Sequence, residues 1–261
     1  MEVRIFAVGD VVGTPGLKYL RKQLPKLRKE KKIDFCVVNG ENAAMVGMTP
    51  SQAEEIFDAG ADCITLGNHT WNQRDIIPYL EDHCRVLRPA NFAPGTPGDG
   101  VGVYETDFGP VAVINLIGRC DLDFHADNPF YKVDAILKKL DPMPVFVDFH
   151  AEATSEKLAM AFYLDGRVSA VWGTHTHVPT ADLRVLPKGT GYITDLGMTG
   201  PKNGSLGVDP AQSIALFRGE LTSRFKPAPG PNWLCGAVFT VDCNTMRCVD
   251  IEQIVLTEES L

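Results

Sequence analysis

Acidic, amide and imidazole side chains follow five apolar segments of this sequence, each at the point where the segment ends. The segments cover residues 3–8, 35–38, 63–66, 145–149 and 170–172. In sheets built from βαβ units, the carboxyl ends of the strands share one edge, and ligands bind along it. We therefore expect one site, built from the motifs Gly9-Asp10, Asn39-Gly40-Glu41-Asn42, Gly67-Asn68-His69, His150 and Gly173-Thr174-His175-Thr176-His177.

Seven of these side chains are candidate metal ligands. Oxygen and nitrogen donors without a thiolate suit hard to borderline divalent ions such as manganese, iron or zinc. Seven donors are too many for one tetrahedral ion and fit two ions that share a bridging carboxylate, for which Glu41 is the natural choice. His175 and His177 would point the same way in an extended chain and could serve the two ions. The full set is Asp10, Glu41, Asn42, Asn68, His150, His175 and His177.

The charge of the chain and the charge of this site differ in sign. The 261 residues include 25 Lys and Arg against 33 Asp and Glu, a formal charge of −8. An acidic chain is poorly suited to long nucleic acids, which are bound mainly through basic side chains. The basic run at 18–32 carries a leucine stripe on its other face, so we interpret it as a solvated helix face. Two divalent ions would nevertheless outweigh Asp10 and Glu41, giving a cationic pocket for a small phosphate ester.

The elements that must position these residues alternate between strands and helices. Further buried strands are predicted at 111–117, 192–194, 237–241 and 249–255, with a hairpin joining 101–106 to 111. Helices are predicted from the leucines at 17–27, from the cap Thr49-Pro50-Ser51-Gln52, from 127 to about 140, and over 154–164. This order predicts a single α/β domain over residues 1–261.

Composition bounds the class of protein. Hydrophobic residues make up 44% and charged residues 22% of the chain, which is enough for a sizeable core. Asp10 interrupts the first apolar run, and no run reaches the roughly 18 apolar residues of a spanning helix. Seven cysteines without a CxxC pair indicate reduced core cysteines rather than a metal cluster. We expect a cytoplasmic protein without a membrane partner, and the sequence leaves a homo-oligomer open.

A dinucleotide site is the main alternative from another enzyme class. The segment from Gly9 to Gly16 follows a strand and opens a helix. Its glycines are spaced G-x-x-x-G-x-x-G rather than G-x-G-x-x-G, and Pro15 lies where the helix should begin. The later histidines have no role in such a site, so we set this alternative aside.

The order of the motifs resembles the calcineurin-like metallophosphoesterase superfamily, and within it the bacterial YmdB-like branch. The resemblance extends from Asp10 to the segment Tyr192–Gly200 and covers nearly the whole chain. It implies a four-layer α-β-β-α sandwich and a two-metal phosphodiesterase. In that branch the substrates include 2′,3′-cyclic nucleotides.

The resemblance also implies roles for single residues. Asp10, Asn42 and His177 would bind one metal, while Asn68, His150 and His175 would bind the other, with Glu41 bridging them. His69 would lie near the phosphate as a candidate general acid. Two positions depart from the wider superfamily: Val12 stands where its Asp-x-His motif has histidine, and Thr70 stands where an acid commonly orients the histidine. Both departures fit the narrower branch.

The hypothesis for the reaction is attack on phosphorus by a hydroxide that bridges two divalent ions, iron or manganese ahead of zinc or magnesium. His69 would assist the phosphate or the leaving oxygen. Two alternatives stay open at this point: a phosphomonoesterase or nucleotidase on the same site, and a metal-bound regulatory protein with little turnover. We assign Asp148 a structural role, expecting it on the opposite strand face from His150.

Overall fold

The computed structural model describes residues 1–122 and 125–258. Most of the strands are short and buried. They are β1 Glu2–Val8, β2 Asp10–Val11, β3 Phe35–Asn39, β4 Cys63–Thr65, β5 Val86–Leu87, β6 Val101–Tyr104, β7 Val111–Ile117, β8 Val145–His150, β9 Ala170–Thr174, β10 Arg184–Val185, β11 Gly191–Ile193, β12 Met198–Pro201, β13 Asn232–Asp242 and β14 Arg247–Thr257.

The helices alternate with these strands along most of the chain. They are α1 Gly13–Glu30, α2 Pro50–Asp58, α3 Ile76–Asp82, α4 Pro129–Leu137, α5 Thr154–Leu164 and α6 Pro210–Phe217. Thr49 caps α2 as the sequence predicts, because its hydroxyl accepts from the Gln52 amide while the Gln52 side chain accepts from the Thr49 amide. No helix in the described ranges has the length and apolar character needed to span a bilayer.

The strands form two sheets. One runs in the order β2-β12-β13-β1-β3-β4-β5, with β14 paired to β13, and the other in the order β10-β11-β9-β8-β7-β6. The neighbours β1, β3, β4 and β5 are parallel, as are β7, β8, β9 and β11. Each sheet therefore brings the carboxyl ends of several strands to one edge, as the sequence predicts.

Alternating burial along the strands divides the core into three layers. In β1, Ile5 and Ala7 face the second sheet, while Phe6 and Val8 face α1 and α2. In β8, Phe146 faces the first sheet, and its outward neighbours pack against α4 and α5. Helices thus cover the outer face of each sheet, which confirms the four-layer α-β-β-α sandwich.

The layer between the sheets changes from apolar to polar toward the carboxyl ends of the strands. Near its apolar end it holds Phe35, Phe146 and Trp172. At the other end, Asn39, Thr65, Asp148, His150 and Thr174 are all almost completely buried. Buried polar groups need partners, so this end of the layer must contain a satisfied hydrogen-bond network or a bound ligand.

Some expectations about the elements need correction. The helix α4 ends at Leu137 rather than near residue 140, and the short helices α3 and α6 had no counterpart in the predicted set. All seven cysteines lie within the described ranges and are free, but Cys84 and Cys120 are exposed rather than in the core. The exposed thiols lie beside loops, where a short apolar pattern carries no information about burial.

Candidate metal centre

One cluster of ligand atoms forms around Nε2 of His150, at the end of β8. This nitrogen lies 2.9 Å from Oδ1 of Asn68, 3.0 Å from Oε1 of Glu41 and 3.1 Å from Nδ1 of His175. Metal–ligand bonds of about 2.0–2.2 Å place neighbouring ligand atoms about 3 Å apart. The four atoms therefore have the spacing of ligands around one metal ion, and the residues fit a divalent cation.

A second cluster forms around Asp10. Its Oδ2 accepts from the backbone amide of His175, while the buried Oδ1 has no hydrogen-bond partner and lies 3.7 Å from Nε2 of His177. The Asn42 amide group is 3.1 Å from the same nitrogen, and a half-turn of this amide puts its oxygen there. An orphaned buried carboxylate oxygen is costly without a cation, so this donor set also fits a metal.

Glu41 lies between the two clusters. Its Oε1 is within reach of both His150 and the Asn42 amide, at 3.0 and 3.3 Å, and its Oε2 accepts from the backbone amide of His69. Gly67 passes so close that an added Cβ would lie 2.3 Å from both Oε2 of Glu41 and Nε2 of His150. The backbone at Gly67 thus leaves space that a side chain would fill.

The buried charges of the centre shift one another's pKa. Burial raises the pKa of Asp10 to about 6, although His177 and His150 oppose the shift. Burial also acts to raise the pKa of Glu41, but His150 and His69 outweigh it and lower that pKa to about 2. For His150 burial acts to lower the pKa, and Glu41 and Asp10 raise it to about 9. In the metal-free protein, His150 and Glu41 thus form an ion pair at neutral pH.

Each of the three predicted histidine ligands has a partner for the nitrogen that faces away from the cluster. Nδ1 of His150 contacts the Thr174 hydroxyl at 2.9 Å, and Nε2 of His175 contacts Oε2 of Glu152 at 3.1 Å. The third, His177, has its Nδ1 at 3.1 Å from the Leu206 carbonyl. Such partners fix the tautomer and the ring orientation of a metal-binding imidazole.

The loop that carries His175 and His177 is bent rather than extended, so the expected extended geometry is wrong. His175 has φ of 100° and His177 has φ of 64°, both in the left-handed region that non-glycine residues rarely adopt. Asp195 holds the residue between them, because its Oδ2 accepts from both the amide and the hydroxyl of Thr176. A buried ion pair with Lys157, at 2.7 Å, balances the Asp195 charge. The bends direct the two imidazoles to different clusters.

The structure places all seven predicted ligands in these two clusters, and it places His69 beside them. The His69 backbone amide donates to Glu41, and its Nε2 lies 3.4 Å from the Asn68 amide nitrogen. Thr70, at the position of the missing acid, donates instead to the Gly67 carbonyl. The first cluster brings together Glu41, Asn68, His150 and His175, and the second brings together Asp10, Asn42 and His177.

Sequence reasoning missed several groups around the centre. The expectation for Asp148 is wrong in its geometry, because residues two apart on a strand share a face, and Asp148 lies on the His150 side. The sequence pattern does not indicate that Thr174 and Glu152 contact the histidines. Asp148 could have been found from its spacing, whereas Glu152 lies in the loop after β8 and depends on the neighbouring β9 end.

This fold and this arrangement of donors at the carboxyl ends of two facing sheets define the class of calcineurin-like metallophosphoesterases. The family model described as YmdB-like protein matches residues 6–254. The chain therefore belongs to the YmdB-like family, as the motif order predicts, and this family implies binding of divalent metal.

Relatives of this chain match over nearly its whole length. A 2′,3′-cyclic-nucleotide 2′-phosphodiesterase from Bacillus subtilis is 47% identical, covering 99% of each chain. The crystal structure of a novel phosphatase from Mycoplasma pneumoniae has a TM-score of 0.93 at 36% identity and covers 99% of this chain and 95% of that one. A hypothetical protein from Thermus thermophilus has a TM-score of 0.92 at 38% identity, covering 98% of this chain and 100% of the other.

Proposed function

We propose that this protein is a two-metal phosphodiesterase that hydrolyses small phosphate diesters, with 2′,3′-cyclic nucleotides as the first candidates. The observation that carries the proposal is the pair of donor clusters joined by Glu41, each with the spacing or the orphaned oxygen that a cation requires. The 47% identity to a 2′,3′-cyclic-nucleotide 2′-phosphodiesterase supports this substrate class.

In this proposal, each cluster would hold one ion. Asn68, His150 and His175 would bind the first ion and Asp10, Asn42 and His177 the second, with Glu41 between the two clusters as a shared ligand. Two divalent ions held there would polarise phosphoryl oxygens and lower the pKa of bound water. Donors made only of oxygen and nitrogen suit iron or manganese first, with zinc and magnesium as further candidates.

The chain's own groups complete the site. The bent backbone between His175 and His177 keeps the two clusters apart, and Asp195 anchors that bend through Thr176. His69 is next to Asn68 and is held by its amide on Glu41, so its ring can donate to a phosphate oxygen or to the leaving oxygen. A strained cyclic diester depends less on this proton donation than an unstrained diester with a poor leaving group.

We further propose that residues 1–261 act as one domain, because Glu41 and His150 come from different sheets and contact each other directly. The free state of all seven cysteines, each inside the described part of the chain, supports a reducing compartment such as the cytoplasm. The expected partner is a small phosphate ester rather than a long nucleic acid or a membrane, and a homo-oligomer stays open.

A metal panel tests the function. The protein is stripped with a chelator, restored with Mn²⁺, Fe²⁺, Zn²⁺ or Mg²⁺, and assayed on 2′,3′-cyclic and 3′,5′-cyclic nucleotides, bis-p-nitrophenyl phosphate and the matching monoester. We expect metal-dependent turnover with preference for the 2′,3′-cyclic diester. Asp10→Asn and Glu41→Gln should remove it, because each deletes a charged ligand. The control Glu55→Gln changes only an exposed ion pair with Arg21 and should leave turnover unchanged.

The outcomes separate the candidates. Hydrolysis that continues unchanged in the presence of the chelator, or that both ligand variants retain, would contradict the two-metal proposal. Preference for the monoester would favour a phosphatase, the class named for the Mycoplasma pneumoniae structure. A fully metallated protein without turnover on any ester would favour the regulatory alternative.

A further inference from the structure

A chain of three buried side chains connects the layer between the sheets to His150. Oδ1 of Asp148 lies 2.8 Å from the Thr174 hydroxyl, and that hydroxyl lies 2.9 Å from Nδ1 of His150. Asp148, Thr174 and His150 are each fully buried. The register explains the contact, because His150 and Thr174 are direct neighbours on the parallel strands β8 and β9.

The remaining contacts of Asp148 fix its position from the opposite sheet. Its Oδ2 accepts from the hydroxyl of Thr65 at the end of β4 and from the Asn39 amide at the end of β3. Donors from three strands in two sheets therefore surround this carboxylate.

The direction of these hydrogen bonds follows from their chemistry. Asp148 accepts at both oxygens, from the hydroxyls of Thr65 and Thr174 and from the Asn39 amide, so the single hydroxyl proton of Thr174 is used on Asp148. The Thr174 oxygen can then only accept from Nδ1 of His150, which must carry a proton. A neutral imidazole with its proton on Nδ1 has its lone pair on Nε2, the atom that faces Glu41, Asn68 and His175.

We infer that Asp148, acting through Thr174, is a positioning residue that holds the His150 proton on Nδ1 and keeps Nε2 free for a metal ion. This inference rests on the proposed function only in taking His150 as a ligand. This relay, the pair of hydrogen bonds from Asp148 through Thr174 to Nδ1, does not involve Nε2. A cation at Nε2 can therefore displace a proton from that atom to solvent while the Nδ1 proton stays in place. The relay gives a functional reason for a buried carboxylate that is otherwise expensive.

The test compares two substitutions at Thr174 in the full chain, with Zn²⁺ as a diamagnetic probe. Thr174→Val keeps the shape and removes the hydroxyl, whereas Thr174→Ser keeps the hydroxyl. Loss of an outer partner of a metal-binding histidine typically weakens metal binding about 10–100-fold. We expect this loss for Thr174→Val in competition with a chromophoric chelator, and wild-type affinity within about threefold for Thr174→Ser.

A second readout reports the proton itself. In ¹⁵N-labelled protein loaded with Zn²⁺, long-range ¹H–¹⁵N spectra should show a slowly exchanging Nδ1 proton on His150 in the wild type and in Thr174→Ser. The signal should disappear in Thr174→Val. A Thr174→Val protein that binds Zn²⁺ within about threefold of the wild type and keeps the protected proton would overturn the inference.

Thr190→Val is the matched control. It also replaces a fully buried threonine, but its hydroxyl donates to the Val168 carbonyl and accepts from the Gly166 amide, outside the network around Asp148. We expect a loss of folding stability with Zn²⁺ affinity unchanged within about threefold. An equal loss of affinity in Thr190→Val and Thr174→Val would mean that the effect at Thr174 is merely structural. If Thr174→Val does not fold, Asp148→Asn carries the same comparison, with weaker Zn²⁺ binding expected and unchanged binding overturning the inference.

The two proposals fail in different ways. Suppose that the wild type binds Zn²⁺ with a protected Nδ1 proton but hydrolyses no ester in the metal panel. This result would contradict the phosphodiesterase proposal but not the relay inference. If the wild type hydrolyses esters but Thr174→Val changes neither the Zn²⁺ affinity nor the Nδ1 proton, the relay inference is contradicted and the phosphodiesterase proposal is not. Neither readout of the relay depends on turnover.

Discussion

Nε2 of His175 lies 3.1 Å from the carboxylate of Glu152, while Nδ1 of the same ring lies 3.1 Å from Nε2 of His150. Burial and the neighbouring His150 lower the pKa of His175 to about 3, so the ring is neutral at pH 7. A neutral ring whose proton is on Nε2, the nitrogen that faces Glu152, has its lone pair on Nδ1, toward the cluster. His175 and His150 therefore face the same point with different ring nitrogens.

Replacing Glu152 by alanine should weaken metal binding about tenfold. This is the lower end of the range for outer partners of metal-binding histidines, because the Glu152 side chain is half exposed. Glu152→Gln retains an oxygen that accepts from Nε2 and should stay close to the wild type. Chelator competition on both variants measures the difference. Equal affinities for the alanine variant and the wild type would show that His175 needs no help from this carboxylate.

Gly67→Ala should abolish binding at the cluster around His150. The added Cβ would lie 2.3 Å from atoms of Glu41 and His150, so one of these groups must move out of place. We expect at least a hundredfold loss of metal affinity, measured by calorimetry, and also a loss of folding stability in the metal-free protein, because the displaced groups form a buried ion pair.

Gly109→Ala controls for the substitution itself. Gly109 has φ of 107° and open space around its Cβ position, so alanine there should cost about 1 kcal/mol of folding free energy from backbone strain. Metal affinity should not change. If Gly67→Ala also left metal affinity unchanged, the close approach at Gly67 would have no specific role in the metal centre.

Metal binding should release protons in a pH-dependent way. Because the pKa of His150 is raised to about 9, its ring is protonated in the metal-free protein at pH 7 and must lose a proton to bind a metal. Affinity should therefore rise with pH up to about 9. Below about pH 6, protonation of Asp10 should add a second proton to the exchange and weaken binding further.

Calorimetry at pH 7 in two buffers with different ionisation enthalpies measures this exchange. The difference between the two apparent enthalpies, divided by the difference between the buffers' ionisation enthalpies, gives the number of protons released. We expect about one proton per ion at the His150 cluster. Glu41→Gln removes the main charge that raises the His150 pKa, so it should reduce the number of protons released. Identical enthalpies in both buffers for the wild type would contradict the ion pair between His150 and Glu41.

Much of the fold and of the donor set could be predicted because both follow from local patterns. An apolar run ending in a polar residue marks a strand end, and parallel strands bring such ends together whatever the order of the strands. That is why Asp10, Glu41 and His150 could be placed in one site without knowing which sheet each occupies. The helix α1 could be predicted in the same way, since its leucine stripe is longer than two turns.

The contacts around the donors could not be predicted in the same way. Glu152 meets His175 only because the ends of β8 and β9 are adjacent, and the Leu206 carbonyl reaches His177 from a loop far along the chain. The bends at His175 and His177 depend on Asp195, which has no sequence signal linking it to them. These details depend on tertiary neighbours rather than on periodicity.

His69 offers the sharpest test of how the chemistry is divided between the metals and the chain. Its ring lies next to Asn68, and its backbone amide on Glu41 is retained in His69→Ala, so the variant should bind metal like the wild type. Turnover should fall about 10²–10⁴-fold on an unactivated diester, whose leaving oxygen needs a proton. Bis-p-nitrophenyl phosphate has a stable leaving group and should be hydrolysed with a much smaller loss of turnover. The loss on the strained 2′,3′-cyclic nucleotide should lie between these two.

The ratio of kcat values across the three substrates is the measurement. A uniform loss on all of them would assign His69 to binding the phosphate rather than to proton transfer, and no loss on any would leave the reaction to the metal ligands alone.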